Sequence, residues 1–72
     1  MKKIKKIKIK INGKVKEIPE NYKVQDLIYK FKIPIKKVAI ELNQEILDKK
    51  KLNKMKIQKN DEIEIVHFIG GG

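Results

Sequence analysis

A chain of 72 residues with 19 basic and 9 acidic residues predicts one small domain with a formal net charge of +10. It has no cysteine and a single histidine, His67, which argues against disulfides, a thiolate nucleophile and a metal site. No apolar run approaches the roughly 18 residues of a membrane helix, and no apolar stretch follows the basic start, so we expect a cytoplasmic protein without a secretory signal.

The first predicted element is a strand, because isoleucine and lysine alternate from residue 6 to residue 11. Asn12–Gly13 follows and is a strong hairpin signal. A two-residue loop would pair Ile11 with Lys14. We prefer a three-residue loop, since it would pair Ile11 with Val15 and keep the apolar side chains on one face.

A short helix is predicted next, with one apolar face that packs on the core. Four residues at helical spacing form this face: Val24, Leu27, Ile28 and Phe31. Asp26 in the first turn suits the helix dipole, but Lys23 is a poor N-cap. Pro34 prevents the helix from continuing.

Shorter elements follow the helix. Alternating apolar residues predict a third strand over 38–42, and Asn43–Gln44 predicts a turn. Residues 46–47 are long enough only for a brief strand. Residues 48–55 are predicted to form an exposed loop with one irregular helical turn, after which Ile57 returns to the core.

The last stretch is a predicted strand that runs into Gly70–Gly71–Gly72. Ile63, Ile65, His67 and Ile69 share one parity, whereas Val66 and Phe68 share the other. We therefore expect His67 to be packed or hydrogen-bonded on the core face rather than to act as a base.

Glycines at the end of the chain leave a thin tail without side chains. We expect residues of about 69–72 to be flexible, and the terminal carboxylate on such a tail can enter a narrow enzyme channel. A frayed end that does nothing is the alternative.

The order of elements is hairpin, helix, strand, short strand and strand. It predicts an α+β fold in which one main helix lies across a mixed sheet of four to five strands. The first and last strands are expected side by side and parallel in the centre. All of residues 1–72 are assigned to this single domain.

Four segments carry a resemblance to a known family: Asn12–Gly13 after the first strand, 24–28, 38–43 and, above all, 61–72. Together they resemble the ThiS sulfur carriers of thiamine biosynthesis, over nearly the whole chain. The resemblance implies the ubiquitin-like β-grasp fold. The C-terminal segment is its most specific part, since many small α+β domains share the other motifs.

The resemblance implies a carrier rather than an enzyme, with no catalytic residue and no bound cofactor. An E1-like, ThiF-like enzyme would use ATP to adenylate the carboxylate of Gly72. Sulfur drawn from cysteine would then give a thiocarboxylate, and a ThiG-like thiazole synthase would accept that sulfur. Gly70 and Gly71 would enter the partner's active site, and Val66, Phe68 and Ile69 would contact the partner.

Three other functions remain open at this point. The related MoaD-like carrier of molybdopterin synthesis shares the Gly-Gly end, and a ubiquitin-like modifier would form isopeptide adducts on other proteins. A nucleic-acid binder would need retained affinity at physiological salt. The absence of arginine and of interleaved aromatic residues argues against specific nucleic-acid binding, so a solvated lysine surface is the simpler interpretation.

Overall fold

The computed structural model describes residues 5–68 and has a five-stranded mixed sheet with one α-helix. The elements, in chain order, are β1 (Lys6–Ile11), β2 (Lys14–Pro19), α1 (Val24–Lys30), β3 (Val38–Leu42), β4 (Glu45–Ile46) and β5 (Glu62–His67). The strand order is β2-β1-β5-β3-β4, with β5 parallel to β1 and antiparallel to β3. The predicted α+β architecture and the parallel central pair are therefore confirmed. Within residues 5–68, no helix is long and apolar enough to cross a membrane.

The loop of the first hairpin has two residues, so the expected three-residue loop is wrong. Ile11 pairs with Lys14, and Asn12 and Gly13 have φ angles of 50° and 80°. Positive φ at both positions is the requirement of a type I′ turn, whose twist matches that of the flanking strands. Val15 and Ile18 have opposite parity, so only one of them can face the core. The observed register buries Ile18 completely and leaves Val15 60% exposed.

The core lies between α1 and one face of the sheet. Its buried members are Ile9, Ile18, Val24, Leu27, Ile28, Val38, Ile40, Leu52, Ile57 and Ile63. Three of the four predicted helix-face residues are among them. Phe31 is the exception, because the helix ends at Lys30 and the chain reverses at Lys32, where φ is 53°. Phe31 is therefore 38% exposed.

The N-terminus of α1 lacks a side-chain cap from Lys23, as the sequence predicts, but Asp26 stabilises it. The Asp26 carboxylate accepts a hydrogen bond of 2.9 Å from the Lys23 backbone N–H. This contact is one half of a capping box, in which a side chain of the first turn reaches back to the N-cap. Asp26 therefore contributes a hydrogen bond as well as a favourable charge.

The segment between β3 and β5 contains the predicted turn and brief strand, but that strand is Glu45–Ile46 rather than residues 46–47. Asn43 and Gln44 form a two-residue turn with φ angles of 51° and 73°. A single 3-10 turn at Lys49–Lys51 precedes the buried Leu52, and Ile57 is buried as well. This irregular segment covers the core although it contains only a two-residue strand.

Candidate functional site

The end of β5 presents two large apolar side chains to solvent. Val66 is 50% exposed and Phe68 is 55% exposed. Val66 lies opposite Ala39, and the Phe68 N–H donates a 2.9 Å hydrogen bond to the Lys37 carbonyl. The chain therefore stays against the β3 side of the sheet until Phe68. The exposure predicted for both side chains is confirmed, whereas Ile69 and Gly70–Gly72 lie outside the described residues.

His67 is exposed, so the expectation of a packed or hydrogen-bonded core histidine is wrong. It has the parity of the buried Ile63 and lies opposite Val38, but Ile65 between them is already only partly buried. Val38, the strand partner of His67, is fully buried. The buried area of this face therefore includes β3 at this level but does not extend to the last residues of β5.

Asn12 holds β5 on one side. Its backbone N–H donates to the Ile63 carbonyl at 2.9 Å, and its side-chain Oδ1 accepts from the Ile65 N–H at 2.7 Å. The main chain of the hairpin turns away at Asn12, so the amide oxygen takes the place of the next backbone carbonyl in the parallel ladder. This contact satisfies a central-strand N–H that would otherwise lack a partner on that side.

Asn43 holds β5 on the opposite side, at the first residue of the strand. The side-chain Oδ1 of Asn43 accepts a 2.9 Å hydrogen bond from the Glu62 backbone N–H. The backbone N–H of Asn43 donates a 2.8 Å hydrogen bond to the Glu62 carbonyl. Its Nδ2 donates to the Asp61 carboxylate at 3.1 Å. The sequence identifies Asn12 and Asn43 only as turn residues. Both occupy turn positions with positive φ, where glycine is also favoured. The presence of asparagine, whose side chain can form hydrogen bonds, is the sequence signal for these contacts.

Phe68 is partly covered by a cation. The Lys49 Nζ lies 5.2 Å from the centroid of the Phe68 ring, which is within the range of a cation–π contact. Lys49 is exposed and its side chain is long, so a partner can displace it at small cost. The Phe68 ring is therefore accessible as a contact surface.

Residues 5–68 present an exposed surface at the end of β5. Residues 5–68 hold no cluster of three or more potential metal ligands. Their carboxylates are scattered over α1, the strands and the turns, and the side-chain hydrogen bonds of residues 5–68 include none of His67. The geometry presents an exposed strand end at Val66, His67 and Phe68.

Comparison with known proteins identifies the family to which this chain is related. The ThiS family profile matches residues 9–72. The sulfur carrier protein ThiS of Bacillus subtilis (strain 168) is 38% identical over 65 residues, which are 89% of this chain and 98% of that protein. The chain belongs to the ThiS family. This membership confirms the predicted class, a sulfur carrier of the thiamine pathway.

Two further similarities extend the family assignment. A crystal structure of the thiamine biosynthesis protein ThiS from Geobacter metallireducens superposes with a TM-score of 0.82 at 28% identity, and the match covers 92% of this chain and all of that one. The predicted β-grasp fold is thereby confirmed. A thiazole synthase of Paramagnetospirillum magneticum is 35% identical over 92% of this chain, but the match spans only 20% of that protein.

Proposed function

We propose that this ThiS-family chain carries sulfur as a thiocarboxylate on Gly72 and delivers it to a thiazole synthase. The observation that carries the proposal is the family match, which extends to residue 72 and so includes the three glycines. Gly70 and Gly71 carry no side chains, so they fit a narrow channel that leads to a partner's reacting atoms.

The chemistry requires activation by another protein. A carboxylate is a poor electrophile, and transfer of an adenylyl group from ATP supplies a good leaving group and releases pyrophosphate. A sulfur nucleophile derived from cysteine then displaces AMP and leaves the thiocarboxylate. Residues 5–68 include no base–nucleophile pair, and an E1-like, ThiF-like enzyme therefore performs both steps with this chain as its substrate.

Thiazole synthase is the proposed acceptor. A segment similar to this chain forms part of thiazole synthases from two bacteria, at 35% and 32% identity. A carrier and an acceptor that share one polypeptide are held together at high effective concentration. This arrangement supports a direct contact between the two proteins. It also favours the thiamine branch over the molybdopterin carrier and the protein modifier.

Intact mass spectrometry tests the proposal. The chain is incubated with ATP, cysteine, a ThiF-like activating enzyme and a sulfur donor. Its mass is expected to rise by the difference between one sulfur and one oxygen atom, and fragmentation should place that change on Gly72. The reaction without ATP is the control. An unchanged mass in the complete reaction contradicts the carrier function.

The exposed ring beside the tail is expected to bind the activating enzyme. Phe68→Ala should weaken this binding by about 2 kcal/mol, or about 30-fold, as expected for an aromatic anchor at an interface. Val15→Ala is the matched control, because Val15 is also exposed but lies on the edge strand β2. Calorimetric titration measures both affinities.

The stability of the Phe68→Ala variant is measured beside its affinity. Since Phe68 is 55% exposed, its removal should change the melting temperature little. An affinity equal to that of Val15→Ala contradicts the docking role. A collapsed melting temperature would instead assign Phe68 to the core.

A further inference from the structure

Neighbouring strands hold β5 from both sides at its start but from one side at its end. Its pairing with β1 ends at Ile11 opposite Ile63, whereas its pairing with β3 continues to His67. The chain turns back at Asn12 into the hairpin that leads to β2, so β1 does not follow β5 any further. In the part of the chain that the structure describes, the last four residues of β5 therefore pair with a strand on the β3 side alone.

The Asn12 side chain supplies a contact on the β1 side of this strand end. Its Oδ1 accepts a 2.7 Å hydrogen bond from the Ile65 N–H, and its Nδ2 lies 3.5 Å from the Ile65 carbonyl oxygen. One amide thus faces both backbone polar groups of Ile65. Because Val66, His67 and Phe68 are exposed, core packing contributes little to their position, and backbone hydrogen bonds have to hold this end of the strand.

A strand end with few buried contacts opens more easily than the core of a sheet. When it opens, the direction in which the chain leaves the sheet varies, and an enzyme that binds the following segment has to order it again, which weakens binding. The bond between Asn12 and Ile65 opposes this opening without covering the exposed face. The loss of one neutral hydrogen bond changes an equilibrium constant by about fivefold.

We propose that Asn12 is a positioning residue for the adenylation of Gly72. Its side chain holds the end of β5 in the sheet and so fixes the direction in which the C-terminal segment approaches the activating enzyme. Asn12 acts through the backbone of Ile65 and not on the reacting atoms. The inference rests on the proposed function, since it assigns a residue of the folded domain to the delivery of the terminal carboxylate.

Asn43 provides a matched control, because its side chain makes the same kind of contact at the start of β5. Both asparagines are the first residue of a two-residue turn, with φ angles of 50° and 51°. Each Oδ1 accepts one backbone N–H of β5, but the partner of Asn43 is Glu62, the first residue of the strand. Glycine adopts positive φ readily, so Asn12→Gly and Asn43→Gly each keep the turn and remove one side-chain acceptor.

ATP–pyrophosphate exchange, measured against the concentration of the carrier chain, tests the role of Asn12. Asn12→Gly should raise KM about fivefold and leave kcat within about twofold of the parent, because the restraint acts before the chain is bound. Asn43→Gly should leave both constants near those of the parent. Asn12→Asp should restore KM, since a carboxylate oxygen accepts the same N–H and Asp-Gly also favours a type I′ turn.

Amide hydrogen exchange in the parent chain measures the restraint without any substitution. The N–H groups of a strand point alternately to its two sides, so the His67 N–H faces the same side of β5 as the Ile65 N–H, two residues after the Asn12 contact. Relative to the rates in an unstructured peptide, Ile65 should exchange at least about tenfold more slowly than His67. Equal protection at the two positions overturns the inference, even if Asn12→Gly does not fold.

The kinetic results also separate positioning from a loss of stability. A KM that rises equally in both glycine variants assigns the effect to stability and overturns the inference, as does an unchanged KM for Asn12→Gly. A KM for Asn12→Asp as high as that for Asn12→Gly contradicts the role of the side-chain acceptor. A parent chain that supports no exchange overturns the proposed function as well, whereas normal exchange by the parent with equal KM values overturns only the role of Asn12.

Discussion

Deletion of Gly72 is expected to abolish ATP–pyrophosphate exchange by the activating enzyme. The carboxylate would then sit one residue too early on the tail and would not reach the α-phosphorus of ATP. A displacement of about 1 Å can already cost a factor of 100 in rate, and one residue of extended chain spans more than 3 Å. Exchange of labelled pyrophosphate into ATP measures the first chemical step directly.

Gly71→Val should abolish the same exchange while it keeps the length of the tail. A β-branched side chain restricts the backbone and adds width where the chain must enter a narrow channel. Lys16→Ala on β2 is the control, and it should retain exchange because Lys16 lies on the far edge of the sheet. Both tail variants should melt like the parent, since no core side chain is changed. Near-normal exchange by the Gly72 deletion would refute the assignment of Gly72 as the modified residue.

Leu27→Ala is expected to destabilise the domain by about 2–5 kcal/mol. Leu27 lies on the buried face of α1 and is 1% exposed. Loss of its side chain removes apolar burial and leaves a cavity between the helix and the sheet. Small domains have about 5–15 kcal/mol of stability in total, so this change alone consumes a large fraction of it. Urea denaturation followed by circular dichroism measures the difference.

Tyr29→Ala is the matched control for Leu27→Ala, because Tyr29 lies in the same helix but is 71% exposed. This substitution shortens an exposed side chain without opening a cavity, so the free energy of unfolding should fall by less than about 1 kcal/mol. Equal denaturation midpoints for Leu27→Ala and Tyr29→Ala would show that the core is assigned to the wrong helix face.

On β5, Ile65→Ala should reduce the free energy of unfolding less than Ile63→Ala, since Ile63 is 1% exposed and Ile65 is only partly buried.

The hairpin shows where local patterns stop being decisive. The alternation of isoleucine and lysine correctly predicts β1, and Asn12–Gly13 correctly predicts the turn. The pattern alone allowed two loop lengths, and the pairing of Ile11 with Val15 was preferred because it aligned nearby apolar residues. The choice actually depends on whether Ile18 packs beneath the helix, which is a contact between elements distant in the sequence.

The candidate site shows the same division. Parity correctly predicted that Val66 and Phe68 are exposed, and the C-terminal motif pointed to the correct family. Parity also places His67 on the core face, but periodicity says which face a side chain occupies and not how far the buried area extends along the strand. The asparagine contacts were out of reach for a related reason, since Asn12 bonds to a residue 53 positions away and Asn43 to one 19 positions away.

By itself, the sequence determined the fold class, three of the four helix-face residues, the order of the strands and the family of this carrier, because these follow from local periodicity and from a specific terminal motif. Only the tertiary structure decided the hairpin register, the exposure of His67, the two asparagine contacts that hold β5 and the placement of Glu41 opposite Glu64. Each of these depends on the relative position of elements that are far apart along the chain. Such positions are set by the packing of the whole core, so no window of local sequence contains them.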